Sequence, residues 1–332
     1  MKKNKFIFVL LLLVSISAVA FGSTFLYLKI NNESSDEKDF VIMTSCNPVY
    51  IATLNIAGDI DGVSVENLSQ PTTGCLHDYT LTPEDMKNLS YADVLVINGG
   101  GMEGYLEDVM EAYPDLPIID ASQNMTFLDS DEDDHENESD ADHNHEAESE
   151  DHSGHDHGDN SHVWLSIYLY EEEIHEIAAG LSQLDHAHAD QYTQSVDALK
   201  ADIETKLGPE IAELSEKLSG QNTVLLHEAY EYIAEDLGLE VAATLDLDEE
   251  RQVSAGEVAN VISAIEDNDV RLVLAEEDYG SDMGNLIMEQ TQAKVVYLNT
   301  LIHGSFEKDD YIDIMLDNYQ QIDEALSGLG DL

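Results

Sequence analysis

Short hydrophobic runs alternate with amphipathic stretches along the chain from Phe40 onward, a pattern typical of β–α units around parallel sheets. In the first half we predict four strands, at Val41–Thr44, Val63–Asn67, Asp93–Asn98 and Pro117–Asp120. The stretches between them are predicted to be helices, at Val49–Ala57, Pro83–Leu89 and Met102–Ala112. The second helix has a clear start signal, because Thr82 suits an N-cap and Pro83 suits the first helical position.

The same alternation returns in the second half of the chain. We predict strands at Thr223–Leu226, Val241–Leu245, Arg271–Ala275 and Lys294–Leu298. Helices are predicted to follow them, at Ala229–Leu237, Ala255–Ile265, Met283–Gln292 and Asp309–Leu326. Ser254 and Glu257 form a capping-box pattern at the start of the second of these helices. Two sets of four β–α units predict an α/β fold with two similar lobes, each built on a parallel sheet.

Residues 166–218 separate the two sets and are almost entirely compatible with helix. Leu199, Ile203 and Leu207 recur at helical spacing, and Gly208-Pro209 is the one expected break. We therefore predict a long, rigid helix that joins the lobes. The expected organisation is an N-terminal lobe at 40–165, a linking helix region at 166–220 and a C-terminal lobe at 221–332.

The start of the chain carries an export signal. Lysines at positions 2, 3 and 5 precede an uncharged, apolar run at 6–28. Such a run can cross a hydrocarbon core of about 30 Å, so residues 1–30 are either a membrane anchor or a signal peptide cleaved after Ala20. Residues 31–39 are a polar spacer. In both cases the working part lies outside the cytoplasmic membrane, either anchored at the cell surface or secreted or periplasmic.

Charge narrows the possible partners. The chain has 70 acidic and 13 basic side chains, for a formal net charge of −57. This balance excludes a nucleic-acid-binding protein and disfavours docking to anionic membranes. The hydrophobic fraction of 43% still supports folded cores. Cations, and metal ions above all, are the natural ligands.

Residues 129–160 form an insert of low sequence complexity, predicted to be a disordered, mobile loop in the N-terminal lobe. The insert contains 15 acidic residues and six histidines, at His135, His143, His145, His152, His155 and His157. Imidazole and carboxylate together favour weak capture of transition metals. The alternative is a solvated acidic linker with incidental histidines, and the density of histidine favours metal contact.

Three further histidines follow predicted strands or the insert: His77, His162 and His227. In doubly wound α/β lobes, ligands bind beyond the carboxyl ends of the strands. The three side chains are therefore expected to converge on the cleft between the lobes. Three imidazoles, with a fourth position left to water or carboxylate, are a ligand set that zinc favours.

Several motifs resemble the zinc- and manganese-binding solute-binding proteins of ATP-binding-cassette (ABC) transporters. They are GCLHDYTLTPEDM, HVWLS, LLHEAYEYIAEDLGL and YIDIMLDNYQQIDEAL, and the resemblance covers about residues 40–327. It implies two (βα)4 lobes joined by one long helix, with the metal between them. It also implies that His77, His162 and His227 are the metal ligands. The third ligand position has a histidine instead of a carboxylate, which resembles the zinc-binding branch of the family.

The resemblance further implies a receptor that delivers Zn²⁺ to a membrane permease with a cytoplasmic ATPase. Zinc is expected rather than manganese, and a monomer is expected. The fourth coordination position is open, because the family's L-D-P pattern is here Leu298-Asn299-Thr300. Asn299, His303, Glu276 and water are its candidates. Glu276 matches a family glutamate expected to line the cleft.

Cys46 and Cys75 both fall near the predicted cleft. They could form a disulfide or remain free thiols in the core, and direct ligation of the metal by Cys75 is the least favoured alternative. The glycines at 99–101 follow a strand but match no phosphate-binding spacing, so we expect a tight turn. Trp164 is expected to pack in the core beside His162.

Two other functional classes compete with a receptor. A zinc hydrolase would use the three-histidine site with a general base, for which Glu228 is the obvious candidate, although we expect it to face a helix. The other class is a surface adhesion or metal-buffering protein without a transporter.

The remaining histidines of the first half of the chain and the linking region are not expected to bind the metal. His175, His186 and His188 lie in predicted helices and are expected to be surface or structural residues.

Overall fold

A four-stranded parallel sheet forms the centre of the first lobe. The computed structural model describes residues 39–68, 79–128, 160–247 and 253–328, which from Phe40 on belong to one structural unit, Phe40–Leu332. The strands are β1 (Phe40–Thr44), β2 (Val63–Asn67), β3 (Val94–Ile97) and β4 (Ile118–Asp120), in the order β2-β1-β3-β4. Their helices are α1 (Asn47–Ala57), α2 (Pro83–Leu89) and α3 (Leu106–Ala112).

The linking region consists of α4 (Ile167–Leu184), α5 (Ala189–Lys206) and α6 (Gly208–Leu218). The expected break before Gly208 is present, but α5 and α6 remain nearly continuous. Leu207 keeps right-handed helical angles, and its N–H donates to the carbonyl of Ile203 at 2.9 Å. The prediction of one break is wrong, because a second one separates α4 from α5. There Asp185 lies 2.6 Å from His188 Nδ1 and accepts from the Tyr192 hydroxyl at 2.8 Å, which stabilises a turn.

The second lobe repeats the first. Its strands are β5 (Asn222–Leu225), β6 (Glu240–Thr244), β7 (Leu272–Ala275) and β8 (Lys294–Tyr297), in the order β6-β5-β7-β8 with every pair parallel. Its helices are α7 (Glu231–Leu237), α8 (Ala255–Asp267), α9 (Glu277–Gln290) and α10 (Asp310–Ser327). The predicted α/β architecture with two parallel sheets is therefore confirmed.

Local signals for helix starts are mostly confirmed. Thr82 and Ser254 both form full capping boxes, with Asp85 and Glu257 as the reciprocal partners. Two predicted helix starts are wrong. α3 begins at Leu106 instead of Met102, because residues 102–105 include a further turn in which the N–H of Leu106 donates to the carbonyl of Glu103 at 3.0 Å. α9 begins at Glu277 instead of Met283. The missed part contains Gly280, a residue of weak helix propensity, which packs so closely that a Cβ atom there would lie 3.2 Å from the Cβ of Ala275.

The largest buried cluster joins the two lobes. It contains Ile42 of β1 and Leu225 of β5, together with Tyr192 of the linking region. Tyr170 of α4 stacks on Tyr311 of α10 with ring centroids 3.5 Å apart. The linking helices therefore share one interior with both sheets.

Residues 1–38, which hold the predicted signal peptide or anchor, lie outside the described residues. Among the helices that the structure describes, none has the length and apolar character needed to cross a membrane.

Candidate metal site

Two predicted site residues follow the central strands of the second sheet. His227 comes after β5, and Glu276 comes after β7. The chain order reverses between these two strands, and ligands bind at such a switch point in α/β sheets. His227 is 4% exposed and Glu276 is 8% exposed. His227 Nδ1 lies 3.3 Å from Glu276 Oε2, so the carboxylate adjoins the imidazole directly.

His162 is held by Asn160 just before a short 3₁₀ helix, Val163–Leu165. The Asn160 amide nitrogen donates to the carbonyl of Glu228 at 2.9 Å and to Glu231 Oε2 at 3.1 Å. These two acceptors fix the orientation of the amide, so its oxygen faces His162. That oxygen accepts from the backbone N–H of His162 at 3.2 Å and lies 3.0 Å from Nδ1 of its ring. Because an amide oxygen only accepts, Nδ1 carries the proton, and Nε2 is the ring nitrogen whose lone pair can act as a metal donor.

The structure brings His162 and His227 together from the two lobes. Their ring centroids are 5.1 Å apart, and the rings cross at 78°. His162 is 1% exposed, so both imidazoles are buried. Glu228 also contributes here, since its Oε1 lies 3.7 Å from His162 Nδ1. The expectation that Glu228 points away toward a helix is therefore wrong, and two carboxylates flank the histidine pair.

Several predicted site residues lie outside the described residues. They are His77, Cys75 and the six histidines of the insert, His135, His143, His145, His152, His155 and His157. Within the residues that the structure does describe, no group of three or more His, Cys, Asp or Glu side chains is close enough to hold a metal ion. The predicted set of three histidines includes His77, so the structure describes two of its members, His162 and His227.

The candidates for the fourth position occupy different environments. Glu276 contacts His227, as described above. Asn299 is exposed, and its side-chain oxygen accepts from the N–H of Leu301 at 2.7 Å. His303 is partly buried in the segment between β8 and α10.

The triple-glycine turn shapes the equivalent edge of the first sheet. Gly99, Gly100 and Gly101 all have positive φ, at 86°, 61° and 83°, which confirms the predicted tight turn. Glu103 accepts from the N–H groups of Asn98 and Gly99 at 2.8 and 3.1 Å. Burial raises the pKa of Glu103 to about 7. This turn therefore binds a carboxyl of its own chain.

A second carboxyl is buried nearby in α4. Glu173 is 1% exposed, and neither of its carboxyl oxygens has a hydrogen-bond partner among the described residues. Burial raises the pKa of Glu173 well above its ordinary value, and the charge of Glu103 raises it further. Cys46 is also buried here, and burial raises the pKa of its thiol. Within the described residues Cys46 is not joined to another cysteine.

Three polar contacts around the histidines could not be identified from sequence. Asn160 lies at the edge of the low-complexity insert, where its contacts across the cleft leave no local pattern. The Trp164 ring packs beside His162 as expected, with ring centroids 5.2 Å apart. Its Nε1 also donates to the carbonyl of Thr300 at 2.8 Å, which the sequence did not indicate. The Thr300 hydroxyl in turn donates to Glu276 Oε1 at 3.1 Å.

Known proteins share this architecture. A family model described as "Zinc-uptake complex component A periplasmic" matches residues 42–325. The iron-binding protein YfeA of Yersinia pestis is 25% identical over 304 residues, which cover 90% of this chain and 89% of YfeA. The high-affinity zinc uptake system protein ZnuA of Bacillus subtilis is 27% identical over 296 residues, which cover 86% of this chain and 87% of that protein.

A solved structure agrees with the fold. The solute-binding protein FpvC of P. aeruginosa in complex with Ni²⁺ superposes with a TM-score of 0.72 at 23% identity, covering 89% of this chain and 99% of FpvC. The family model spans most of the chain, and the two-lobe architecture is shared. The chain therefore belongs to the family of zinc- and manganese-binding solute-binding proteins of ABC transporters.

Proposed function

We propose that this protein captures Zn²⁺ outside the cytoplasmic membrane and delivers it to an ABC importer. The observation that carries the proposal is the buried pair of His162 and His227, contributed by the two lobes with ring centroids 5.1 Å apart. In the proposed site His77 is the third imidazole. Glu276, Asn299, His303 or water completes the coordination.

The donor set supports zinc over manganese. Three neutral imidazoles suit Zn²⁺, whereas Mn²⁺ prefers carboxylate and other oxygen ligands. The relatives bear names that refer to iron and to zinc, so their names alone do not select the metal. Ni²⁺ and Cu²⁺ accept the same imidazoles, and competition between metals is therefore part of the test below.

Each contact around the histidines has a defined role in this proposal. Asn160 fixes the protonated nitrogen of His162. Glu276 lies beside Nδ1 of His227, where it either orients that ring or completes the coordination itself. Such outer partners orient ligating histidines and raise their basicity. The buried carboxylates also offset the charge of a divalent cation. Because the imidazoles bind in the neutral form, protons compete with the ion and affinity falls as the pH drops.

In this proposal residues 129–160 either gather metal at the cell surface and pass it to the site or sense its abundance, and the protein acts as a monomer. Members of the family are substrate-binding receptors and not enzymes, which argues against a zinc hydrolase. A metal-buffering or adhesion protein is the remaining alternative. Zinc uptake that requires both this protein and a permease with its ATPase would distinguish a receptor from a buffer.

The direct experiment is a titration of the purified protein with Zn²⁺ against a chelator of known affinity. We expect one tight site per molecule, together with weaker binding by the insert. Parallel titrations with Mn²⁺, Fe²⁺ and Ni²⁺ would rank the metals. His227→Ala should remove the tight site, and His175→Ala, a change at an exposed histidine of α4, should leave it intact.

A protein without a near-stoichiometric tight zinc site would refute the proposal. A tight site that survives His227→Ala would refute the assignment of the ligands. Tighter binding of Mn²⁺ than of Zn²⁺ would overturn the choice of metal while leaving the receptor function standing.

A further inference from the structure

One residue touches the groups that lie next to both histidines. The Thr300 hydroxyl donates to Glu276 Oε1 at 3.1 Å, and the other oxygen of Glu276 lies 3.3 Å from His227 Nδ1. The Thr300 carbonyl accepts from Trp164 Nε1 at 2.8 Å. The Trp164 ring packs with its centroid 5.2 Å from that of His162. Thr300 thus connects the surroundings of the two imidazoles without contacting either of them.

We propose that Thr300 is a positioning residue for the metal site, orienting Glu276 beside His227 through its hydroxyl and Trp164 beside His162 through its carbonyl. The inference rests on the proposed function and adds a determinant of metal affinity outside the ligand set. Thr300 is 2% exposed, and its hydrogen bond to Glu276 is buried. A buried carboxylate that loses a donor is left incompletely paired, so the hydroxyl has a direct effect on the position of Glu276.

The segment that carries Thr300 is fastened to α1 of the first lobe. The Asn47 side chain donates to the carbonyl of Leu301 at 2.6 Å, and that of Asn55 donates to the carbonyl of Lys308 at 2.9 Å. Leu301 and Phe306 both have positive φ, at 64° and 63°, a conformation that L-residues adopt only where their surroundings enforce it. The Asn318 side chain of α10 accepts from the N–H of Asn299 at 2.8 Å and donates to its carbonyl at 2.9 Å, so the main chain next to Thr300 is held from both lobes.

The test compares three variants of the full-length protein. Thr300→Val removes the hydroxyl at nearly constant volume, and Thr300→Ser keeps it. Thr223→Val is the matched control. Thr223 lies in β5 of the same lobe, is also buried, and donates from its hydroxyl to the carbonyl of Leu272 at 3.0 Å. Zinc affinity is measured by competition with a chelator. We expect about tenfold or greater weakening in Thr300→Val, as is typical for outer partners of metal ligands.

We expect Thr300→Ser and Thr223→Val to bind within about threefold of the parent, well below that outer-partner effect. Unchanged affinity in Thr300→Val, or equal weakening in Thr223→Val, would overturn the inference while the parent still bound zinc. A parent without tight binding would instead refute the proposed function.

A second measurement does not need metal. The chain has one tryptophan, so its indole N–H gives a single resonance whose hydrogen exchange reports on the bond from Trp164 to Thr300. We expect equal protection in the metal-free parent, Thr300→Val and Thr300→Ser, because the substitutions keep the carbonyl that accepts from Trp164. Faster exchange in Thr300→Val alone would mean that the segment has moved, and a loss of zinc affinity could then not be assigned to the hydrogen bond with Glu276, which would overturn the inference.

Discussion

His162 and His227 lie beside each other in the cleft, with crossed imidazole rings whose centroids are 5.1 Å apart. They belong to different lobes, and each has an oxygen acceptor near its Nδ1 atom: the amide of Asn160 for one and the carboxylate of Glu276 for the other. An acceptor beside Nδ1 favours a proton on that nitrogen, which leaves the lone pair of each ring on Nε2 for the proposed ion. The predictions below follow from this arrangement and from the buried groups around it.

The first prediction concerns Asn160. Asn160→Ala should weaken zinc binding by about 10- to 100-fold, because the acceptor that fixes the His162 tautomer is lost. Chelator competition measures the effect. Asn124→Ala is the control, since Asn124 is exposed and its amide donates to Glu176 on the surface. Equal affinity in both variants would show that His162 does not need its amide partner.

The second prediction uses the intrinsic fluorescence of Trp164. This residue is the single tryptophan of the chain, is fully buried and packs on His162. Zinc binding should therefore change its emission in proportion to occupancy and reach a plateau at one equivalent. His227→Ala should abolish the change. Constant emission during zinc binding observed by calorimetry would place the ion away from His162.

The third prediction concerns stability and pH. Glu173 has its pKa raised by burial, and so has Glu103, to about 7. A raised pKa in the folded state means that the stabilisation is complete below the unfolded-state pKa and is lost as pH rises through the folded-state pKa. The free energy of unfolding should therefore decrease between pH 5 and pH 8.

Glu173→Gln keeps the shape of the side chain and removes its ionisation. It should raise the free energy of unfolding at pH 8 by about 1–3 kcal/mol relative to the parent, with a smaller difference at pH 5. Urea denaturation at the two pH values measures this. Glu172→Gln, at the exposed neighbouring position, should have little effect at either pH. A loss of stability at pH 8 in Glu173→Gln would mean that the carboxylate is favourable there.

The fourth prediction concerns the insert. Leu128 and Asn160 form an isolated antiparallel bridge, with Asn160 N–H donating to the carbonyl of Leu128 at 3.0 Å. Replacing residues 130–158 by a short Gly/Ser linker should therefore preserve the fold and the tight zinc site. The weaker zinc equivalents should disappear in equilibrium dialysis. Loss of the tight site would assign one of its ligands to the insert.

The elements that could be predicted from sequence are those with local causes. The strands were recognisable because short β-rich runs lie between turn residues, and the Thr82 and Ser254 caps depend only on residues three positions away. His227 could be placed because a strand-to-helix junction in an α/β lobe opens on the cleft.

The features that could not be predicted depend on contacts that are distant in sequence. The turn at Asp185 competes with a helix that the apolar pattern supports equally well. The orientation of Glu228 depends on how the lobes meet, and the role of Thr300 depends on partners at Glu276 and Trp164. Hydrophobic periodicity carries no information about such pairs.

The buried cluster that spans both sheets and the linking helices has a thermodynamic consequence. Neither lobe can lose its share of this cluster alone, because exposing one side would also expose the residues that complete the other. The two lobes should consequently melt in one cooperative transition, and a cavity made in one of them should lower the melting temperature of both.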